Sequence, residues 1–162
     1  GIRDRNMIKE KNSPLSVRIV KDKSLGYVPT NLKINKWAKI AFNEEKDSLV
    51  IIRIANKNEI MKLNKIFFKK NKPTNVLSFP SNSHIITGEH ILGDIMVCPE
   101  IINEESDMYS IEKDNRWAHM IIHSMLHLQG YTHDLDKSRV IMEDKEKELM
   151  NILGCPDPYY AN

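Results

Sequence analysis

From Leu15 to Val20 the residues alternate apolar and polar (Leu-Ser-Val-Arg-Ile-Val), and a period of two predicts a strand. Pro29-Thr30-Asn31 then opens a helix, with Leu32, Ile34, Trp37, Ile40 and Ala41 at near-helical spacing. After a turn at Asp47-Ser48, the β-branched run from Leu49 to Ala55 predicts a buried strand. A second helix is expected from Asn58 to Lys69, with Ile60, Leu63 and Phe67 as its apolar face. Pro73 stops it, and the short strand from Asn75 to Phe79, closed by Pro80, has the flanking prolines of a sheet edge. A polar loop leads to a strand over Leu92 to Cys98, after which Pro99 opens a short helix through Asn103. An acid-rich loop follows, then a helix from about Lys113 to Gln129 that Gly130 is placed to end. The last helix spans roughly Lys137 to Ile152, with Val140, Met142, Leu149 and Met150 as contacts, and Gly154 to Pro158 breaks it into a tail.

Strands and helices interleave without internal repeats. They predict an α+β fold: a single layered domain over residues 13–162, with a small mixed β-sheet packed against helices. Residues 1–12 read as a polar extension that ends at Ser13-Pro14.

The 162 residues are 41% hydrophobic and 28% charged, enough to bury a core and too apolar for wholesale disorder. No apolar run exceeds four residues, which excludes a membrane-spanning helix. Gly1 to Lys11 lacks the apolar stretch of a signal peptide, and Cys98 and Cys155 are too few for a disulfide framework. A cytoplasmic protein is expected. The net charge of +2 hides an asymmetry: residues 1–80 hold 18 Lys and Arg against 7 acids, and residues 81–162 hold 6 against 15. A polyanionic partner for the first half would explain it, and so would a lysine-rich solvated surface.

Four histidines fall within fifteen residues: His119, His123, His127 and His133. Residues four apart stand on one face of a helix, so His123 and His127 can grip one ion. Gly130 lets the chain turn back and deliver His133 to it. Three neutral imidazoles leave coordination positions free, the arrangement of a catalytic metal rather than a structural one. The pattern H-x-x-x-H-x-x-G-x-x-H has the spacing of metzincin proteases, but Ser124 occupies the position of their general-base Glu, which argues against peptide hydrolysis. His119, one turn earlier, reads first as a satisfied buried histidine.

Met61 to Lys72 contains Lys62, Lys65, Lys69, Lys70 and Lys72, no acid, and Phe67 and Phe68 between them. Lysines attract phosphates and aromatic rings stack on unpaired bases. Phe67 is expected to pack inward, while the lysines nearest Pro73 are candidates for RNA contact.

Taken together, these residues resemble the YbeY family of single-strand-specific endoribonucleases. The family pattern H-G-x-L-H-L-x-G-Y-D-H is similar to His123 to His133, and K-P-T-N-V-L-S-F-P matches Lys72 to Pro80 throughout. Trp117-Ala118-His119-Met120, Leu92-Gly93-Asp94-Ile95 and Asp157-Pro158-Tyr159 extend the likeness, which covers roughly Asn58 to Tyr159. The resemblance implies one divalent metal ion per chain, zinc first, held by His123, His127 and His133. It also implies single-stranded RNA and the small ribosomal subunit as partners, with a role in maturing the 3′ end of small-subunit ribosomal RNA. Lys65, Lys69, Lys70 and Lys72 are then the candidate RNA contacts, and Lys69, Lys70 and a water on the metal the candidate catalytic groups.

Three positions depart from the family. Phe68 stands where members carry an Arg, five residues before the Pro of K-P-T. Ser124 replaces a Gly, and Thr132 replaces an Asp that could orient a ligand histidine, with Asp134 as a possible substitute. Phe68 cannot clamp a phosphate as a guanidinium does, and lysines lack the planar fork. A metal-containing ribosome-assembly factor with weak catalysis is therefore the second reading. A metal hydrolase acting on another ester or amide is the third.

Overall fold

The structure, a computed structural model, describes residues 13–21, 26–81 and 90–160. The extension expected over residues 1–12 and most of the loop after Pro80 lie outside these residues. Four strands form one sheet in the order β1-β2-β4-β3: β1 (Leu15–Lys21), β2 (Ser48–Ile54), β3 (Val76–Pro80) and β4 (His90–Val97). The first three in that order are parallel and β3 runs antiparallel to β4, giving the mixed sheet that the sequence predicts. Parallel neighbours need a crossover, and α1 (Asn31–Ile40) supplies the one between β1 and β2. The chain continues through α2 (Lys57–Phe68), α3 (Pro99–Met108), α4 (Lys113–Leu128) and α5 (Asp136–Ile152).

Alternate residues of a strand face opposite sides, so β3 and β4 feed two clusters, one on each face of the sheet. Ile52, Ile54, Ile95 and Val97 join the main core with α1, α4 and α5. Leu77, Met96 and Cys98 point the other way and pack with Ile60 and Leu63 of α2. An irregularity between β2 and β4 leaves Leu92 as an extra residue; beyond it Asp94 and Met96 take the α2 side. Ten of the sixteen residues of α4 are buried, and a helix apolar on nearly every side belongs at the centre of the domain. It packs against α1, α3, α5 and the β3–β4 end of the sheet.

Gly93 makes that last contact possible. Its φ is +152°, and a Cβ there would stand 2.4 Å from the Phe79 carbonyl oxygen and 2.9 Å from Leu128 Cδ2. The bare backbone lets β3, β4 and the end of α4 meet.

Several expectations need correcting. Leu32 is 82% exposed, because the buried stripe of α1 is Ile34, Trp37 and Ala38, and Leu32 lies about 200° round the helix from Ile34. Val140 is likewise outside the stripe of α5. The acid-rich segment after Asn103 is not a loop: α3 continues to Met108, with Ile102 and Ser106 turned inward and Glu104 and Asp107 turned to solvent. Phe67 is 60% exposed instead of packed inward, with its ring edge-on to Phe79.

Candidate metal centre

The last two turns of α4 carry His123 and His127, and the helix ends in a glycine turn. Gly130 has φ +99°, and its N–H bonds the His127 carbonyl while the Tyr131 N–H bonds that of Leu126. This paired closure satisfies two carbonyls that a helix end would otherwise leave free. It also brings His133 back, so that one nitrogen from each of His123, His127 and His133 lies within 4.8 Å of the others. The three residues singled out by spacing are thus together in space, half-buried at the first two and exposed at the third.

Each of the two helical rings is oriented through its Nδ1. His127 Nδ1 lies 3.0 Å from the Tyr131 carbonyl, which can only accept, so the nitrogen carries the proton. This acceptor is backbone, so Thr132 in place of an Asp leaves His127 oriented. Among the described residues Asp134 makes no hydrogen bond to the histidines. Burial, followed by the neighbouring His123, holds His127 below its ordinary pKa and keeps the ring neutral, the ligating form.

His123 Nδ1 meets a group that the sequence reading missed, Glu146 of α5, at 2.5 Å. Glu146 is fully buried; its other carboxylate oxygen is 3.0 Å from His119 Nε2 and accepts from the Tyr159 hydroxyl. Burial alone would raise its pKa, but the hydrogen bonds from His119 and His123 outweigh it and hold the carboxyl well below its usual range. Burial and the Glu146 carboxylate push the Tyr159 phenol up, so it stays a donor. An ionised carboxylate with three donors explains why His119, expected as a satisfied buried histidine, is one. His119, His123 and Glu146 also have donor atoms close together, but their facing nitrogens are engaged by the carboxylate.

His123 Nε2 and His127 Nε2 face each other at 3.1 Å. With each Nδ1 carrying the proton of a neutral ring, both Nε2 lone pairs would point at a cation held between them. Nitrogens bound tetrahedrally at about 2.0–2.1 Å sit about 3.4 Å apart, so the pair fits a zinc-like ion with His133 as the third donor. Ser124, buried directly after the first of these histidines, has a hydroxyl without a hydrogen-bond partner among the described residues, the polar cost of filling the place of a Gly.

The lysine segment lies on α2 and the turn beyond it. Lys65, Lys69, Lys70 and Lys72 are all exposed, and among the described residues none is in an ion pair. Lys69 caps α2 in the left-handed conformation at φ 58°, which favours glycine over any residue with a Cβ. Keeping Lys there costs stability and retains a charge. Lys69→Gly is expected to raise stability by about 1 kcal/mol, or roughly 2–4 °C in Tm, while weakening RNA binding and lowering its salt slope by about one. Thermal unfolding paired with a salt titration of RNA binding checks both halves.

Phe68 lines an open cavity of about 650 Å³ on the α2 side of the sheet. That cavity also holds Arg53, a guanidinium that the sequence reading passed over inside the apolar run of β2. Its Nε bonds Asp94 at 3.1 Å, and both side chains keep solvent access.

An α+β domain with a solvent-open cradle of three histidines defines a class: a protein able to hold a divalent ion and leave positions free for chemistry. The family model described as Endoribonuclease YbeY matches residues 9–154, and the chain belongs to that family. An Endoribonuclease YbeY of Buchnera aphidicola from Acyrthosiphon pisum is 41% identical over 133 residues, covering 82% of this chain and 86% of its own. One from Dichelobacter nodosus is 38% identical over 136 residues, covering 82% and 88%. A solution structure from Thermotoga maritima aligns with a TM-score of 0.53 at 23% identity, over 89% of this chain and 99% of the other, and supports the fold. No helix among the described residues is long and apolar enough to cross a membrane.

Proposed function

We propose that this chain is a metal-dependent endoribonuclease that cuts single-stranded RNA and acts in maturation of the 3′ end of small-subunit ribosomal RNA. The observation that carries the reading is the convergence of three imidazoles, with His123 Nε2 and His127 Nε2 facing each other at 3.1 Å and each Nδ1 held by an acceptor. His123, His127 and His133 would hold one divalent ion, with zinc favoured by an all-imidazole donor set. When bound, that ion supplies Lewis acidity towards a phosphoryl oxygen and ionises water near neutral pH.

The chain's own groups do the rest. Glu146 and the Tyr131 carbonyl fix the rings of His123 and His127, so the Nε2 lone pairs converge. Lys65, Lys69, Lys70 and Lys72 draw the phosphodiester backbone to the β3 edge, and Lys69 and Lys70 are the candidates to offset developing charge. Free Cys98 and Cys155 agree with work in the cytoplasm. Cleavage of an unpaired RNA segment, with the same segment spared when annealed to its complement, is expected. Equal cutting of both forms would contradict the single-strand reading.

Phe68 favours a second reading, an RNA-binding assembly factor with weak catalysis. A large gain in cleavage by Phe68→Arg at unchanged RNA affinity would support that reading. Wild-type cleavage as fast as the variant's would remove it.

A further inference from the structure

The cavity beside Phe68 has the form of a site. Leu63, Phe67 and Phe68 come from α2, while Phe79 and Met96 come from β3 and β4. Phe67 meets Phe79 edge-on at 5.3 Å and Phe68 meets it tilted at 5.9 Å, so three rings frame the opening. Phe67 is 60% and Phe68 45% exposed, costly placements for side chains of this size unless something covers them. On the sheet side stands the Arg53–Asp94 pair, which offers a guanidinium donor and a carboxylate acceptor to one ligand edge.

The surroundings say what that ligand is. Lys65, Lys69, Lys70 and Lys72 are exposed on the same helix end and turn, without ion-pair partners among the described residues. An aromatic-lined cavity beside a helix end and turn that carry exposed cations matches a molecule with planar apolar faces, hydrogen-bonding edges and a polyanionic backbone. We propose that the cavity takes one unpaired base of an RNA strand, stacked on Phe68 and Phe67, its edge read by Arg53 and Asp94, its flanking phosphates met by the lysines.

The β3–β4 end of the sheet relates the cavity to the metal centre. Phe79 and Pro80 line the cavity, and next to both of them Gly93 approaches Leu128, the residue after His127. A strand anchored by its base on the α2 side passes over the β3 end to reach the histidines. The inference rests on the proposed endoribonuclease reading and adds to it how the strand is held.

The test measures binding of a short single-stranded RNA to the metal-loaded full chain, with a fluorescent base analogue at each position in turn. A parallel series carries one abasic nucleotide. In the wild-type protein, one analogue position is quenched and its abasic counterpart binds about tenfold or more weakly. Phe68→Ala loses the quenching and a similar factor in affinity, and in that variant the abasic substitution costs nothing further. Its salt slope stays at the wild-type value, because no phosphate contact is removed.

Wild-type binding without a sensitive base position, or Phe67→Ala and Phe68→Ala variants that bind as tightly as wild type, overturns the base site and leaves the endoribonuclease reading standing. Unchanged RNA affinity with loss of self-association in sedimentation assigns the cavity to a second copy of the chain instead. A metal-loaded wild-type protein that neither binds nor cuts RNA overturns the function itself. The abasic series needs no mutation, so the outcome does not depend on how a variant folds.

Discussion

Replacing His127 by Ala is expected to remove the metal and RNA cleavage together. His127 is the middle of the three donors in the chain, its Nε2 faces that of His123 at 3.1 Å, and its Nδ1 is fixed by the Tyr131 carbonyl. Two donors do not keep an ion that three hold, and the truncated side chain leaves no nitrogen to replace the third. Bound metal should fall from about one per chain to near zero after dialysis, and cleavage by several orders of magnitude. The fold itself should survive, because His127 is half-buried at the helix end and the glycine turn uses only its carbonyl. Metal addition is expected to raise the Tm of the wild type by binding the native state alone, and it should not raise that of His127→Ala. Full nuclease activity in the variant, or metal retained at one equivalent, would contradict the assignment of this residue.

Glu146→Gln should be the next most damaging change, although Glu146 is not expected to touch RNA. The carboxylate accepts from His119, His123 and Tyr159 in a site closed to water. A Gln of similar volume turns an NH₂ donor on groups that themselves donate, and its single oxygen serves only part of the set. Leaving a buried donor unmatched costs about 1–3 kcal/mol, and two such donors would remove a large share of the stability of a domain this size. Loss of the partner that orients a metal-binding histidine typically weakens metal affinity about 10–100-fold. Urea unfolding and a competitive chelator titration on the same variant separate the two effects. Lower stability with wild-type metal affinity would make Glu146 a structural residue only.

The two residues illustrate how much of the site the sequence discloses. His123, His127 and His133 were legible because local geometry alone brings them together: one helix face, one glycine turn and six residues of chain. Glu146 joins from another helix, 23 residues after His123, and only the packing of α5 on α4 makes the contact. One signal was available: in the buried stripe Met142, Glu146, Leu149, Met150, an acid occupies an apolar position. The family-like Asp157-Pro158-Tyr159 tail was visible as a motif, but the Tyr159 bond to Glu146 depends on where the tail returns. Arg53 was hidden by its neighbours, since an apolar strand reads as core although alternate residues face the other side.

The mixed sheet and its edge strand followed from alternation and flanking prolines, which are local properties. Errors gathered where partners decide. Spacing from Leu63 put Phe67 on the buried face of α2, but β3 is the last strand among the described residues, and the ring meets only its Phe79 side. The acids after Asn103 suggested a loop, yet a helix with one inward face carries acids on the other at little cost. Glu105 even turns its charge to use, bonding Arg116 of α4 and Asn75 ahead of β3. Asn75, inside the K-P-T-N segment, is thereby a structural tie between the sheet edge and α3.

The central claim is that three histidines hold a metal on which RNA cleavage depends. One preparation of the full chain, assayed for metal content and for cleavage of single-stranded ribosomal RNA with and without chelator, tests it directly. The account predicts about one metal ion per chain and cleavage that disappears with chelator and returns when the ion is restored. Cleavage at an undiminished rate after the metal has been stripped would contradict it.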